Sequence, residues 1–242
     1  MPYFFSLVWE HAKNGKRRHD KFAKEEIMAN EKYEITDIAH ERYPFLHRIR
    51  ALRDIGDEVK AGDLGGFVES EANLSYEQRD DAWIFNDAIV AGEAVADKNA
   101  VLRGNALACG CAYVSRDSAM FDRSRAEDDA YLRGAVMRDG ATASGNAVLQ
   151  KEESTGGSPV LFGNCRVYGT VRGAVQIGGS AVLFGNDKIE NASRDTFILT
   201  EKGRKVLRDP SRDVLRPVEP EEKAESEQKP EKSAKKRREA QR

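Results

Sequence analysis

The sequence predicts an all-β solenoid, and three observations carry that prediction. Small residues return every sixth position, at Ala82, Ala88, Ala94, Ala100, Ala106 and Ala112, with Ser118 and Ser124 keeping the beat until Ala130. A second, mostly apolar residue follows two places later, as at Ile84, Val90, Leu102, Val114, Met120 and Leu132. Gly-Asn recurs before a small or polar residue at Gly104-Asn105, Gly145-Asn146, Gly163-Asn164 and Gly185-Asn186. A period of six is neither that of a helix nor that of a simple strand, and a fixed self-similar spacing marks a coil whose units pack on their neighbours. Glycine and asparagine tolerate positive φ at low cost, so the Gly-Asn pairs read as corners.

The chain divides into five parts in order. Residues 1–27 read as an upstream extension. The Lys24-Glu25-Glu26 codons can spell a purine-rich ribosome-binding sequence ahead of Met28, so translation is expected to start at Met28, the rival being a short N-terminal helix. Residues 28–75 read as an N-terminal cap of strands, because Tyr33-Glu34-Ile35 and Leu46 to Leu52 alternate apolar with polar residues before turn glycines at Gly62, Gly65 and Gly66. An uncapped coil exposes a sheet edge, and the cap is expected to shield it.

Residues 76–192 form the repeat. Asn86 precedes Gly104 by 18 residues and Gly145 precedes Gly163 by the same 18, which suggests three hexads per coil and roughly six coils between Gly66 and Glu190. The beat loses a residue between Ala130 and Ala141, Lys151 to Pro159 reads as a loop, and Val160-Leu161-Phe162-Gly163-Asn164 returns at Val182 after 22 residues, suggesting an extrusion. Residues 193–216, with Phe197-Ile198-Leu199 and Val206-Leu207, read as a C-terminal cap. Residues 217–242 are Pro, Glu, Lys and Arg with almost nothing apolar, so they read as a disordered charged tail.

The hexad resembles the repeat of the left-handed β-helix, which implies the handedness and a triangular section. The segment Leu46 to Asp54, then Val59-Lys60-Ala61-Gly62-Asp63-Leu64-Gly65-Gly66-Phe67-Val68-Glu69, Asn73-Leu74-Ser75 and Asp81-Ala82-Trp83-Ile84, resembles the N-terminal signature of a bacterial and phage family of hexapeptide-repeat proteins. The likeness spans about Tyr33 to Glu190. Some members of that family carry a transferase label, but a fold shared by many chemistries does not transmit one.

Composition narrows the function. With 242 residues, 40% of them hydrophobic, and a net charge of −2, the chain can bury a core but has no apolar run that spans a membrane. Three cysteines, Cys109, Cys111 and Cys165, supply neither a disulfide framework nor a zinc site and favour a reducing, cytoplasmic setting. Hexapeptide acyltransferases use a histidine in or beside the coils as general base, and γ-type carbonic anhydrases hold metal with coil histidines. Here His11, His19, His40 and His47 all precede the repeat. His47 in the cap, the cysteines as nucleophiles, and the pairs Asp80-Asp81 and Asp128-Asp129 read more simply as structural, small-slot or corner residues.

The expectation is therefore a non-enzymatic structural or interaction module, phage-borne, whose faces serve self-association or a protein partner. The alternatives are an acyltransferase with an acyl-coenzyme A donor and a module that sequesters a small ligand. No catalytic residue, metal ligand or cofactor is assigned. A pentapeptide-repeat DNA mimic is disfavoured because the period is six and the faces lack acidic excess, nucleic-acid contact by the basic stretch Lys232 to Arg242 is disfavoured because Glu residues interleave a near-neutral segment, and no membrane association is expected. Aromatic residues at Trp83, Phe85, Tyr113, Phe121, Tyr131, Phe162, Tyr168 and Phe184 are expected to lie on exposed faces, where an interface can form.

Overall fold

The computed structural model describes residues 30–212. The expected extension 1–27, His11, His19 and the tail 217–242 lie outside the described residues. Among the described residues there is no α-helix, and all strands fall in the unit that closes at Asp209. Pro210–Arg212 forms a 3-10 turn.

Three sheets, visited in rotation, build a β-solenoid of about seven turns. The first face carries Leu64–Val68, Ile89–Val90, Leu107–Ala108, Arg125–Ala126, Thr142–Ala143, Arg166–Val167 and Val182–Leu183 in parallel. The second runs from Val95–Ala96 through Tyr113–Ser115, Tyr131–Arg133, Val148–Gln150 and Thr170–Gly173 to Lys188–Asn191. The third starts at Trp83–Ile84 and passes through Val101–Leu102, Ala119–Met120, Val136–Met137, Val160–Leu161 and Val175–Ile177 to Thr196–Thr200. A bridge from Leu74 to Ala96 gives the second face its first rung.

The hexad makes this geometry directly. Most coil strands are two residues long, and successive strand residues point to opposite sides, so one points out and the next points in. The inward set, including Val90, Leu102, Val114, Met120, Leu132 and Leu149, has no exposed surface. Each hexad then turns. Phe85 accepts from the Ala88 N–H, Ala91 from Ala94 and Asp97 from Ala100, so these alanines of the beat close β-turns and bury their methyl groups at the corners, whereas the Ala82 N–H goes to the Asp80 carboxylate. The turn residues after the strands have positive φ, at Asn86, Gly92, Gly104, Gly110, Asp122 and Asp128 among others, which explains why Gly, Asn and Asp collect there.

Corners are stitched between turns by side chains as well. Asn86 Oδ1 accepts from the Gly104 N–H at 3.2 Å, Asp122 Oδ2 from Asp139 at 3.0 Å, and Asp139 Oδ2 from Gly163 at 2.8 Å. Asp128 Oδ2 takes both the Gly145 N–H and the Ser144 hydroxyl, and these bonds hold its carboxyl below the usual carboxylate range.

Four sequence expectations change. There are about seven turns rather than six; Leu64–Val68 and Leu74 belong to the first, whose 3-10 segment Glu71–Asn73 interrupts the beat. Gly145 and Gly163 are not one coil apart. Gly145 lies in the turn after the first-face strand Thr142–Ala143, whereas Gly163 follows Val160–Leu161 on the third face and stacks against Gly179. The 22-residue echo is likewise no coil length, since Val160–Leu161 lies on the third face and Val182–Leu183 on the first. Trp83 is not an exposed aromatic; it is 1% exposed. The lost residue near Ala130 is real: Ala119 pairs with Val136, a turn of 17 residues closed at Gly134.

The solenoid's two ends carry antiparallel strands. β1 (Tyr33–Ala39) and β2 (His47–Ala51) extend the first face beside Leu64–Val68, and Gly203–Leu207 extends the third face beside Thr196–Thr200. At the first end Lys32 is buried, 1% exposed, and its ammonium donates to the Ser75 carbonyl at 2.8 Å. Burial lowers its pKa to about 8, opposed by the charge of Asp80. The folded state binds the proton less tightly than an unperturbed lysine, so between about pH 8 and 10 the unfolded chain holds a proton that the folded chain has lost. The stability difference between the protein and its Lys32→Met variant is therefore expected to shift in favour of the unsubstituted protein as pH rises across that window. Urea titrations at pH 7.5 and 9.5 check it, and a pH-independent difference refutes it.

Candidate functional site

The outer surface of the third face is the most ordered apolar feature among the described residues. Its outward column reads Trp83, Val101, Ala119, Val136, Val160, Gln176 and Ile198, each paired in register with the next. Trp83 is covered by the N-terminal strands; Val101, Ala119, Val136 and Val160 are half-buried. Two residues further along the chain stands a second column, Phe85, Arg103, Phe121, Arg138, Phe162 and Gly178, tied by backbone bonds from each N–H to the next turn.

That column alternates aromatic and cationic groups. The Arg103 guanidinium lies 3.8 Å from the centre of the Phe85 ring, and Arg138 lies 5.5 Å from that of Phe162. Arg103 also pairs with Glu58. Phe162 lies over Gly178, where a Cβ would collide with its ring. The guanidinium groups sit over ring faces, whose negative quadrupole attracts them, so charge is presented without breaking the apolar surface. No acidic residue stands in either column.

The other two faces are more mixed. The first presents Ile89, Leu107, Arg125, Thr142, Arg166 and Val182; the second stacks Tyr113 on Tyr131 at 5.7 Å but flanks them with Asp97, Arg133, Arg172 and Glu190. Of the aromatics expected on exposed faces, Phe184 is 67% exposed, and the rest apart from Trp83 are half-buried.

The residues considered for catalysis are scattered. His40 meets Phe67 edge-on with ring centres 4.7 Å apart, and its Nδ1 accepts the N–H groups of Arg42 and Tyr43. His47 Nδ1 lies 3.1 Å from the Thr36 carbonyl. A 560 Å³ cavity beside His40 is lined also by Arg48, but that guanidinium is committed to Asp87, the Gly65 and Asn86 carbonyls and the Phe67 ring. Cys109, Cys111 and Cys165 are free thiols. Burial raises the pKa of Cys109 and lifts Cys165 to about 11, and a hydrogen bond with Glu93 raises Cys111. All three are therefore protonated at neutral pH and poor nucleophiles. Among the described residues no group of three or more His, Cys, Asp or Glu side chains is placed to hold a metal ion.

Of the pair Asp80 and Asp81, only Asp80 departs from the solvent-facing reading. Asp81 is exposed, but Asp80 is 4% exposed and accepts the N–H groups of Ala82, Lys98 and Asn99. Burial opposes its charge, yet these bonds prevail and hold its carboxyl below the usual range.

The Phe and Arg column had a legible signal: Phe85 and Phe121 are 36 residues apart with Arg103 midway, always one place after an inward residue. Among the described residues no helix is long and apolar enough to cross a membrane. No protein-family model matches the chain, and no curated protein matches it.

Proposed function

We propose that this protein is a non-enzymatic structural module that pairs with a second copy of itself through the third face. The observation that carries the reading is the alternation of the second column. With a two-fold axis through that column, between the Phe121 and Arg138 rungs, Phe121 meets Arg138, Arg103 meets Phe162 and Phe85 meets Gly178. Phe121 and Phe162 then each face a cation, and Phe85 faces the Gly178 rung over which Phe162 lies, so cations and rings match across an isologous interface. The valine column alongside supplies apolar area; its side chains are already half-buried, so each contributes on the order of 1 kcal/mol.

The finer fold reading belongs to the same proposal. The solenoid is taken as left-handed and of the hexapeptide-repeat kind, with β1 and β2 capping its first turn. The reading as a non-enzyme is supported by where the titratable groups lie. His40 and His47 stand in β1, β2 and their connection rather than in the turns, and the thiols are protonated.

Sedimentation velocity across micromolar concentrations is the test. The protein is expected to sediment as a dimer, and Val136→Lys, which places a charge at the centre of the face, is expected to give monomers with an unchanged circular dichroism spectrum. A monomeric starting protein, or a dimer that Val136→Lys leaves intact, refutes the proposal.

A further inference from the structure

The edge where the second face turns into the third carries one cation per turn: Lys98, Arg116, Arg133 and Lys151. Adjacent strands lie about 4.8 Å apart, so these four residues rise about 14 Å along the solenoid. They line a single open cavity of 380 Å³ together with two carboxylates, Asp117 and Glu153, which leaves a formal excess of two positive charges.

The cations are only partly neutralised. Lys98 Nζ lies 3.2 Å from Asp97, and Arg133 Nη2 donates to Glu153 at 2.6 Å. Arg133 Nε is shut off from solvent and has no hydrogen-bond partner. Among the described residues Arg116 and Lys151 take part in no ion pair. Lys151 reaches the cavity by crossing Gly134, where a Cβ would stand 2.9 Å from the Lys151 Cβ and 3.1 Å from its Cδ. The glycine thus clears the path of the lysine stem.

The backbone of this edge has a matching geometry. Lys98 and Asn99 both have positive φ, 49° and 65°, and their consecutive N–H groups close on the Asp80 carboxylate at 2.7 and 2.9 Å. One turn on, Arg116 and Asp117 repeat the conformation, at 52° and 59°. Consecutive N–H groups in such turns form anion-binding concavities, and the first of these holds the Asp80 carboxylate; at the second the Asp117 N–H is bonded to the Lys98 carbonyl at 2.9 Å, so a ligand there is held by side chains.

We propose that this cavity binds a ligand bearing two or three linked phosphoryl groups, with Arg116 and Lys151 as its principal contacts. Guanidinium groups match phosphate oxygens with paired donors, and the ammonium of Lys151 adds a mobile point charge. The lining has no aromatic side chain, so it offers no platform for the stacked bases of a single-stranded nucleic acid. The inference is independent of self-pairing, since it uses an edge and not the third face's columns.

Isothermal titration of the full chain with sodium pyrophosphate at low salt tests the site. Saturable binding is expected, weakened about tenfold or more by Arg116→Gln and by Lys151→Gln, and unchanged by Arg125→Gln on the first face, with all three variants keeping the dichroism of the parent. Adenosine triphosphate binding more tightly than inorganic triphosphate assigns the site to a nucleotide tail; equal binding assigns it to a free oligophosphate. The proposal is overturned by absence of saturable binding, by variants that bind as the parent does, by orthophosphate binding as tightly as pyrophosphate, or by an oligodeoxynucleotide that outcompetes pyrophosphate tenfold.

Discussion

Replacing Trp83 with alanine is expected to release the N-terminal strands while leaving the middle of the solenoid folded. Trp83 is 1% exposed at the start of the third face, edge-on to Tyr33 with ring centres 6.4 Å apart. Gly65 makes room for it, since a Cβ there would stand 2.8 Å from the indole Cζ2. Tyr33 in turn donates to the carbonyls of Leu74 and Glu71 at 2.9 and 3.0 Å, tying β1 to the first turn. Removing the indole leaves a cavity between these parts, and truncations of this kind cost about 3 to 5 kcal/mol. That is a large share of the roughly 5 to 15 kcal/mol that holds a domain together, and it corresponds to about 10 °C in melting temperature for a domain of this size.

A solenoid transmits such a loss poorly, because each turn touches only its neighbours. Hydrogen exchange followed by mass spectrometry is therefore the informative measurement. Peptides from residues 33–68 should lose protection, whereas those covering Val101 to Leu149 should keep it. Uniform loss along the chain would show a single cooperative unit, and unchanged exchange at the first end would show that the indole contributes little; either result refutes the expectation. Trp83→Phe, which keeps a ring in the same space, should fall between.

The case of Trp83 shows where the sequence is legible and where it is not. The beat places it correctly as an outward residue beside inward Ile84, and the inward residues and corner alanines of the repeat are buried as the pattern requires. What covers Trp83 is β1 and the Gly65 backbone, elements about 20 to 50 residues upstream whose pairing no local period records. The faces were equally hard to assign. Each side of the coil uses the same hexad, so a six-residue period counts hexads without saying which face each occupies. Because Lys151 to Pro159 adds residues between them, Gly145 and Gly163 fall on different corners although 18 residues separate them. The candidate surfaces follow the same logic. Phe85, Arg103 and Phe121 align within the regular stretch and could be read from spacing, whereas Lys98, Arg116, Arg133 and Lys151 become one column only after the corners are ordered.

Gly173→Ala is expected to open the last turns of the solenoid, at a cost of about 3 kcal/mol. Gly173 has φ of +81°, and a Cβ there would overlap the carbonyl oxygen of Asn191, its partner on the second face. Two penalties therefore add: about 1 to 2 kcal/mol for a left-handed L-residue and about 1 to 3 kcal/mol for forcing atoms into a filled space. The neighbourhood has little freedom to relax. Asn191 is 2% exposed, its amide donates to the Ala174 and Asp195 carbonyls at 2.9 and 2.6 Å, and its Oδ1 accepts from Ser193. Moving that carbonyl disturbs the segment that leads into the Thr196–Thr200 strand. Gly156 provides the internal comparison, since it has φ of +72° but nothing within 4 Å of its hypothetical Cβ. Gly156→Ala should pay the left-handed penalty alone, about 1 to 2 kcal/mol. Denaturant titrations of the two variants separate the contributions: a larger loss for Gly173→Ala, with exchange rising after residue 170, assigns the excess to the packed rung. Equal losses would mean that the Asn191 rung yields, and that the solenoid's last turns are held by something other than their fit.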